Sequence, residues 1–240
     1  MKILFSPSEQ KTSLQTAQAM ELFGGREFRE KILKSYNTII QSGTTEEILN
    51  LFGLKKPDDA KPYMVDIFTA ATTKAIQQYD GVAYSYLKYH TLDSDAKRYL
   101  DTNMLIFSNL FGVVLASDTI PTYKVKQGNS IGNLAPEKFY KPLLTPLLKE
   151  YLQDEEVLDL RAGYYEKFYK HNSPYTTLKF LKNGRVVSHF AKAYRGIVAR
   201  EIAKNNITTL GELGKLEIEN LQIKEIQTIR NKTEIIYNIL

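Results

Sequence analysis

The chain has 240 residues, 32 Lys and Arg against 27 Asp and Glu for a net charge of +5, and 43% hydrophobic residues. That is ample for a sizeable core, and no run approaches the roughly 18 apolar residues of a membrane span, so no membrane partner is expected. The absence of cysteine excludes disulfides, thiolate metal sites and a cysteine nucleophile, while the mild basic excess is compatible with a phosphate-bearing partner.

The start, MKILFSPSE, turns polar after three apolar residues. No signal peptide is expected from it, and a reducing cytoplasm is. Lys2 to Phe5 reads as a short strand ended by Pro7, and a polar loop follows to Thr16. Residues 17–42 read as helix with a break at Gly24-Gly25. Thr44 precedes Glu47 by three residues, the signature of a capping box, so a helix is expected from Thr45 to Phe52. Gly53 supplies a turn, Pro57 can open another helical turn, and a further helix is expected over Tyr63 to Tyr79. The stretch YDGVAYSYLKY fits a strand or the start of a helix. Ser94 to Asp101 reads as helix, and MLIFSNLFGVVLAS as a buried strand with its flanking turn.

Helix is expected again from Pro136 to Leu152. EVLDLRAGYYEKFY begins as a buried strand and turns helical after Gly163. TTLKFLKNGRVVSHF is the clearest hairpin, turning at Asn183-Gly184, with Ser188 and His189 on its second strand. A helix follows from Ala191 to Asn205, and the chain closes with two short helical stretches and an edge strand. No repeat or linker interrupts the pattern. One domain over residues 1–240 is expected, of mixed α/β class with a mixed sheet surrounded by helices.

Positive charge gathers on the helix after the hairpin. At about 100° per residue, Lys192, Arg195 and Arg200 share one face with Lys204 at its edge, and Ala191, Tyr194, Val198 and Ile202 lie opposite. Gly196, Ala199 and Ala203 form a floor of small side chains between the cations. A phosphodiester could approach such a floor closely; a solvated surface helix rich in Ala for propensity has the same pattern. The loop SPSEQKT carries Ser6, Ser8, Glu9 and Lys11 at the end of a strand, a usual place for ligand sites in α/β sheets. Asp159 and Arg161 are two apart on a strand and share a face, as a structural ion pair or as part of a site. Lys55, Lys56 and Lys61 flank the turn at Gly53, where a helix-hairpin-helix would present cations to a phosphate; an ordinary helical turn reads the same. The three histidines are scattered and match no compact metal motif, so no metal and no cofactor is expected.

Taken together, these segments resemble the YaaA peroxide-stress family. The matching stretches are PSEQKT (Pro7–Thr12), DGVAYSYL (Asp80–Leu87), SNLFGVVLASDTIPTYKV (Ser108–Val125), VLDLRAGYY (Val157–Tyr165) and VVSHFAKAYRGIVAR (Val186–Arg200). The resemblance covers Met1–Asn206 and fades over the last 34 residues. It implies a compact α/β fold with a basic cleft and a helix-hairpin-helix, here over Thr45–Tyr63. It also implies binding to duplex or branched DNA, and protection from peroxide by limiting damage from unincorporated iron. The polar positions it matches are Ser8, Glu9, Lys11, Asp118, Tyr123 and Lys124 in the first half of the chain. In the second half they are Asp159, Arg161, Ser188, His189, Lys192, Arg195 and Arg200. Three departures stand out: Leu115-Ala116 replaces the family's Arg-Pro pair, Gln10 a common Gly, and Ala191 a commonly polar residue.

The expected function is therefore a peroxide-stress protein, monomeric and cytoplasmic, that binds DNA without chemistry. Phosphate contacts are expected from Lys11, Lys55, Lys56, Lys124, Arg161, Lys192, Arg195, Arg200 and Lys204, in a cleft with Ser6, Ser8, Glu9, Asp118 and Tyr123. The alternative is an enzyme acting on a phosphorylated small molecule or a nucleic-acid end in the same cleft. Its catalytic groups would come from Glu9, Lys11, Asp159, Arg161, Ser188 and His189.

Overall fold

Lys2 to Phe5 pairs on both sides and all four residues are buried; this strand, β1, is the axis of the molecule. The computed structural model describes residues 1–16 and 19–240, with Ser188 and His189 described by their backbone alone. In chain order β1 (Lys2–Phe5) and β2 (Gln10–Lys11) precede three helices, α1 (Glu30–Ser42), α2 (Thr45–Phe52) and the single turn α3 (Pro57–Ala60). Short elements follow: β3 (Thr72–Lys74), α4 (Ala75–Gln78), β4 (Tyr79–Asp80) and α5 (Val82–Leu87). Next come α6 (Ser94–Asn103), β5 (Met104–Ser108), β6 (Gly112–Leu115) and β7 (Thr119–Pro121). Helix α7 (Pro136–Tyr151) leads to β8 (Val157–Asp159), β9 (Tyr175–Lys182) and β10 (Arg185–Val186). The chain ends with α8 (Ser188–Lys204), α9 (Leu210–Leu213), β11 (Leu221–Ile229) and β12 (Lys232–Ile239).

The main sheet runs β11-β12-β9-β8-β1-β5-β6, with β10 folded back on β9. Its five inner strands, from β12 to β5, are parallel, and each edge is closed by an antiparallel partner, β6 or β11. Parallel strands are covered on both faces, which is why KILF and MLIF are almost unbroken apolar runs. The chain leaves β1 for β5 on one side and returns to β8 on the other. Strand order therefore reverses at β1, and a crevice opens beyond its carboxyl end. The mixed α/β architecture is the one expected from the sequence. Among the described residues no helix is long and apolar enough to cross a membrane.

Several local expectations are corrected. Of residues 17–42, Ala17 and Gln18 lie outside the described part. Regular α-helix begins only at Glu30, because Gly24 and Gly25 take left-handed φ of 71° and 83° and Glu21 is drawn into a bridge with Thr119. The helix expected over Tyr63 to Tyr79 is broken: Thr72–Lys74 pairs with β7 instead, as its β-branched threonines favour. The apolar run after Asn103 is a hairpin, β5 and β6, turning at Gly112. The strand after Asn183-Gly184 stops at Val186, so Ser188 and His189 open α8. At the C-terminus one short helix and two long strands replace the expected two helices and one strand; β12 joins the sheet parallel to β9.

The capping box at Thr44 forms as expected: its side chain accepts from Glu47 N, and Glu47 returns to Thr44 N. Gly53 then ends α2 in the left-handed conformation. The second helix of the expected helix-hairpin-helix is a single turn of four residues.

The small residues of α8 serve packing. Val198, Ala199, Ile202 and Ala203 are buried, and α8 lies against α5, α6 and β9. A Cβ built on Gly196 would stand 2.0 Å from the Ala83 carbonyl oxygen. The floor of small side chains is thus filled by a neighbouring helix, and the expectation that a phosphodiester approaches there is overturned. Sequence cannot separate the two uses, since both ask for a missing side chain. Gly196→Ala should gain helix propensity yet lower stability by about 1–3 kcal/mol through overpacking; urea unfolding of the two proteins measures the difference.

Candidate functional site

Beyond the carboxyl ends of β1 and β8 lies a cavity of about 340 Å³. Five segments remote in sequence form its wall: the loop Ser6–Gln10, Leu160 and Ala162 past β8, Gly81–Tyr84 at the start of α5, Gln127, and Lys192 with Arg195 on α8. The last two are one helical turn apart and so reach the same side. Residues 9 and 192 line one hollow, whereas Arg161, expected in the same cleft, does not line it.

Hydrogen bonds knit the wall together. Ser6 Oγ accepts from Ala162 N at 2.7 Å, and its carbonyl accepts from Tyr84 Oη at 2.8 Å. One residue thus ties β1, the β8 loop and α5 at a single point. Gly81 sits so near the Ser8 hydroxyl that a Cβ would come within 2.5 Å of it, at a φ of 139°, which explains a glycine there. Glu9 is fixed at one carboxylate oxygen, which accepts from Gln127 N at 3.0 Å.

Two lysines support the loop from below. Lys11 Nζ donates to the Ser8 carbonyl at 2.7 Å, and Lys124 Nζ to that of Glu9 at 3.3 Å. Lys11 also lies over the rings of Tyr79 and Tyr123, 5.0 and 4.4 Å from their centroids. Tyr79, Tyr123 and Ser108 are joined hydroxyl to hydroxyl at 2.9 and 2.7 Å. Burial keeps both phenols neutral, raising them far above their ordinary value. Burial and the like charge of Lys124 draw the Lys11 ammonium down to about 7, against the pull of Glu9. Neither lysine borders the cavity; both shape the loop that does.

Asp159 and Arg161 form a structural ion pair. The guanidinium donates to both carboxylate oxygens, at 2.9 and 2.7 Å, and to the carbonyls of Tyr165 and Tyr169. His171 Nε2 adds a contact of 3.0 Å to Asp159, and its ring stacks on Tyr175. The side chains of Arg161 and Asp159 are 1% and 7% exposed. Burial alone would raise the Asp159 carboxyl, but Arg161 and the His171 hydrogen bond outweigh it and hold the group well below its usual range. Leu160 and Ala162 face the cavity; Arg161, between them, does not line it.

Other expected contacts are also engaged elsewhere. Arg200 donates to the carbonyls of Leu87 and Lys88 and so caps the end of α5. Lys204 pairs with Glu201 at 3.1 Å. Asp118 accepts from Phe23 N and Leu115 N, is raised to about 6 by burial, and does not line the cavity. Neither Leu115 nor Ala116 lines it. Lys55 and Lys56 are exposed between α2 and α3. The side chains of Ser188 and His189 lie outside the described part. Arg29, which the sequence pattern passed over, is wholly buried and donates to the carbonyls of Phe111, Val113 and Gly25. Tyr84, Tyr165 and Gln127 were also missed as lining. DGVAYSYL and VLDLRAGYY pointed toward the two tyrosines; nothing pointed to Gln127.

Comparison with known proteins agrees with these segments. A family described as peroxide stress protein YaaA matches residues 1–227. An uncharacterised protein of Campylobacter jejuni is 46% identical over the whole of both chains. A UPF0246 protein of Streptomyces coelicolor is 30% identical over 84% of this chain and 82% of its own. Another, from Corynebacterium efficiens, is 30% identical over 90% of this chain and 91% of its own.

Two outcomes follow from the charges. The folded protein binds fewer protons at Lys11 than the unfolded chain between pH 7 and 10.5, so this group makes stability rise with pH across that window. Lys11→Met removes that share of the rise, read from urea unfolding at a series of pH values. Asp159→Asn leaves Arg161 buried without its counter-charge and should cost about 3–5 kcal/mol, seen as a fall in the unfolding midpoint.

Proposed function

The chain belongs to the peroxide stress protein YaaA family, and from that premise we propose that it protects nucleic acid by holding its phosphates in this cleft, limiting the damage done there by unincorporated iron. The observation that carries the reading is that Lys192 and Arg195 line one cavity together with the polar loop Ser6–Gln10. Burial lowers the Arg195 guanidinium only against a value far above neutrality, and Asp159 and Glu166 act to raise it; it is a cation at any working pH. Lys55 and Lys56, exposed on the turn after α2, are further contacts in this proposal. Nucleic acid carries condensed cations along its phosphates, and a protein that neutralises those phosphates displaces them. Ferrous iron is such a cation, so occupying a phosphate removes a place where iron would generate damage.

A second reading has its own support. The Glu9 carboxylate shares the cavity with both cations, the pairing of a base with charge stabilisers that an enzyme acting on a phosphorylated molecule would need. Glu9→Gln keeps the shape and removes the base; survival of peroxide-challenged cells carrying it should match wild type if binding alone is the function.

Binding is measured by fluorescence anisotropy on a short labelled DNA over a salt series. Four phosphate contacts, from Lys192, Arg195, Lys55 and Lys56, give a slope of log affinity on log salt of about −2.8 for a single strand and −3.6 for a duplex. Lys192→Ala and Arg195→Ala should each make the slope shallower by about one contact. An affinity indifferent to salt would sink the reading.

A further inference from the structure

The geometry restricts which part of a nucleic acid can enter. Sequence assigned nine cations to phosphate, but Arg161 and Lys204 are paired with Asp159 and Glu201. Arg200, Lys11 and Lys124 are bound to backbone carbonyls. Lys192 and Arg195 are the pair that lines the cavity, and Arg195 Nε is buried with no hydrogen-bond partner. Two cations match one phosphate group. They do not match a run of backbone, which calls for a row of contacts. The volume of about 340 Å³ lies near the lower end of small-ligand sites, roughly 300–1,000 Å³, and excludes a duplex. Much of the remaining wall is apolar or aromatic, with Phe5, Val82, Leu160 and Tyr165.

An exposed face of α5 adjoins this cavity. Val82, which lines it, and Tyr86, one turn on along α5, are 50% and 47% exposed. An open aromatic ring near cations is what an unpaired base stacks on, and a duplex offers no such base.

We propose that the cavity takes the terminal phosphomonoester and end nucleotide of an unpaired nucleic-acid strand, with the base that follows lying over Tyr86. This rests on the nucleic-acid reading above and deepens it. A phosphomonoester carries about −1.5 to −2 charges and three acceptor oxygens, so it engages both cations, against the Glu9 carboxylate that shares the cavity, and can use the free Arg195 Nε. A diester in mid-strand carries one charge and would have to thread the cavity.

The test compares labelled single strands about a dozen nucleotides long, enough to cover one such groove. They carry a 5′-phosphate, a 3′-phosphate or hydroxyls at both ends, beside a circular single strand of the same composition and a blunt duplex. Adenosine monophosphate is the free-nucleotide competitor. One of the two phosphorylated strands should bind about tenfold tighter than the hydroxyl-ended strand and the circle, as charge-assisted contacts to an extra charge require. Adenosine monophosphate should displace that strand. Lys192→Ala should shrink the advantage to about threefold or less, and Tyr86→Ser should weaken every single strand by about fivefold or more. Both sites are exposed, and circular dichroism melting confirms that the variants fold. Equal binding of the circle and the phosphorylated strands, or an advantage untouched by Lys192→Ala, overturns the terminal site while leaving the nucleic-acid reading intact. Failure to bind any of these strands overturns both.

Discussion

Everything in this molecule hangs on the position of β1. It hydrogen-bonds in parallel to β5 on one side and β8 on the other, so the chain's successive crossovers pass to opposite sides of it. A strand in that place cannot have a connecting segment across its carboxyl end. The vacancy is a consequence of topology, and the loop Ser6–Gln10 becomes its rim because it is the next stretch of chain. Ser6 then binds three elements at once, through its hydroxyl and its carbonyl.

Around that crevice, most of the charge is structural. Lys11 and Lys124 hold up the rim by their grip on two adjacent carbonyls, although their mutual repulsion and burial pull Lys11 down toward neutrality. Arg161 and Asp159 satisfy each other beneath it, and Arg200 closes the end of α5. Buried charges keep their ionised form only where partners replace water; Arg161 and Asp159 are such partners for each other, whereas Lys11, buried beside a second cation, is drawn down to about 7. A basic helix in sequence is therefore a poor measure of the positive charge offered to a ligand. Two of its cations reach the cavity and two are engaged elsewhere.

Membership of the peroxide stress protein YaaA family gives this geometry a setting. Oxidative damage from iron depends on where iron sits, and phosphate is an obvious seat for a divalent cation.

The sequence by itself determined the local elements whose signals are short in range. The capping box at Thr44, the apolar strands, the turn at Asn183-Gly184 and the one-turn spacing of Lys192 and Arg195 were all legible, because each depends on residues a few positions apart. The mixed α/β class was legible too, from the interspersed strands and helices. What only the tertiary structure decided was the use of each residue. Gly196 and the alanines of α8 face helices where a ligand was expected, Thr72–Lys74 is a strand because β7 lies beside it, and Arg161 turns inward to Asp159. A side chain's partner comes from segments tens to more than a hundred residues away, and a small or charged residue looks the same in sequence whether its neighbour is a ligand or the protein itself.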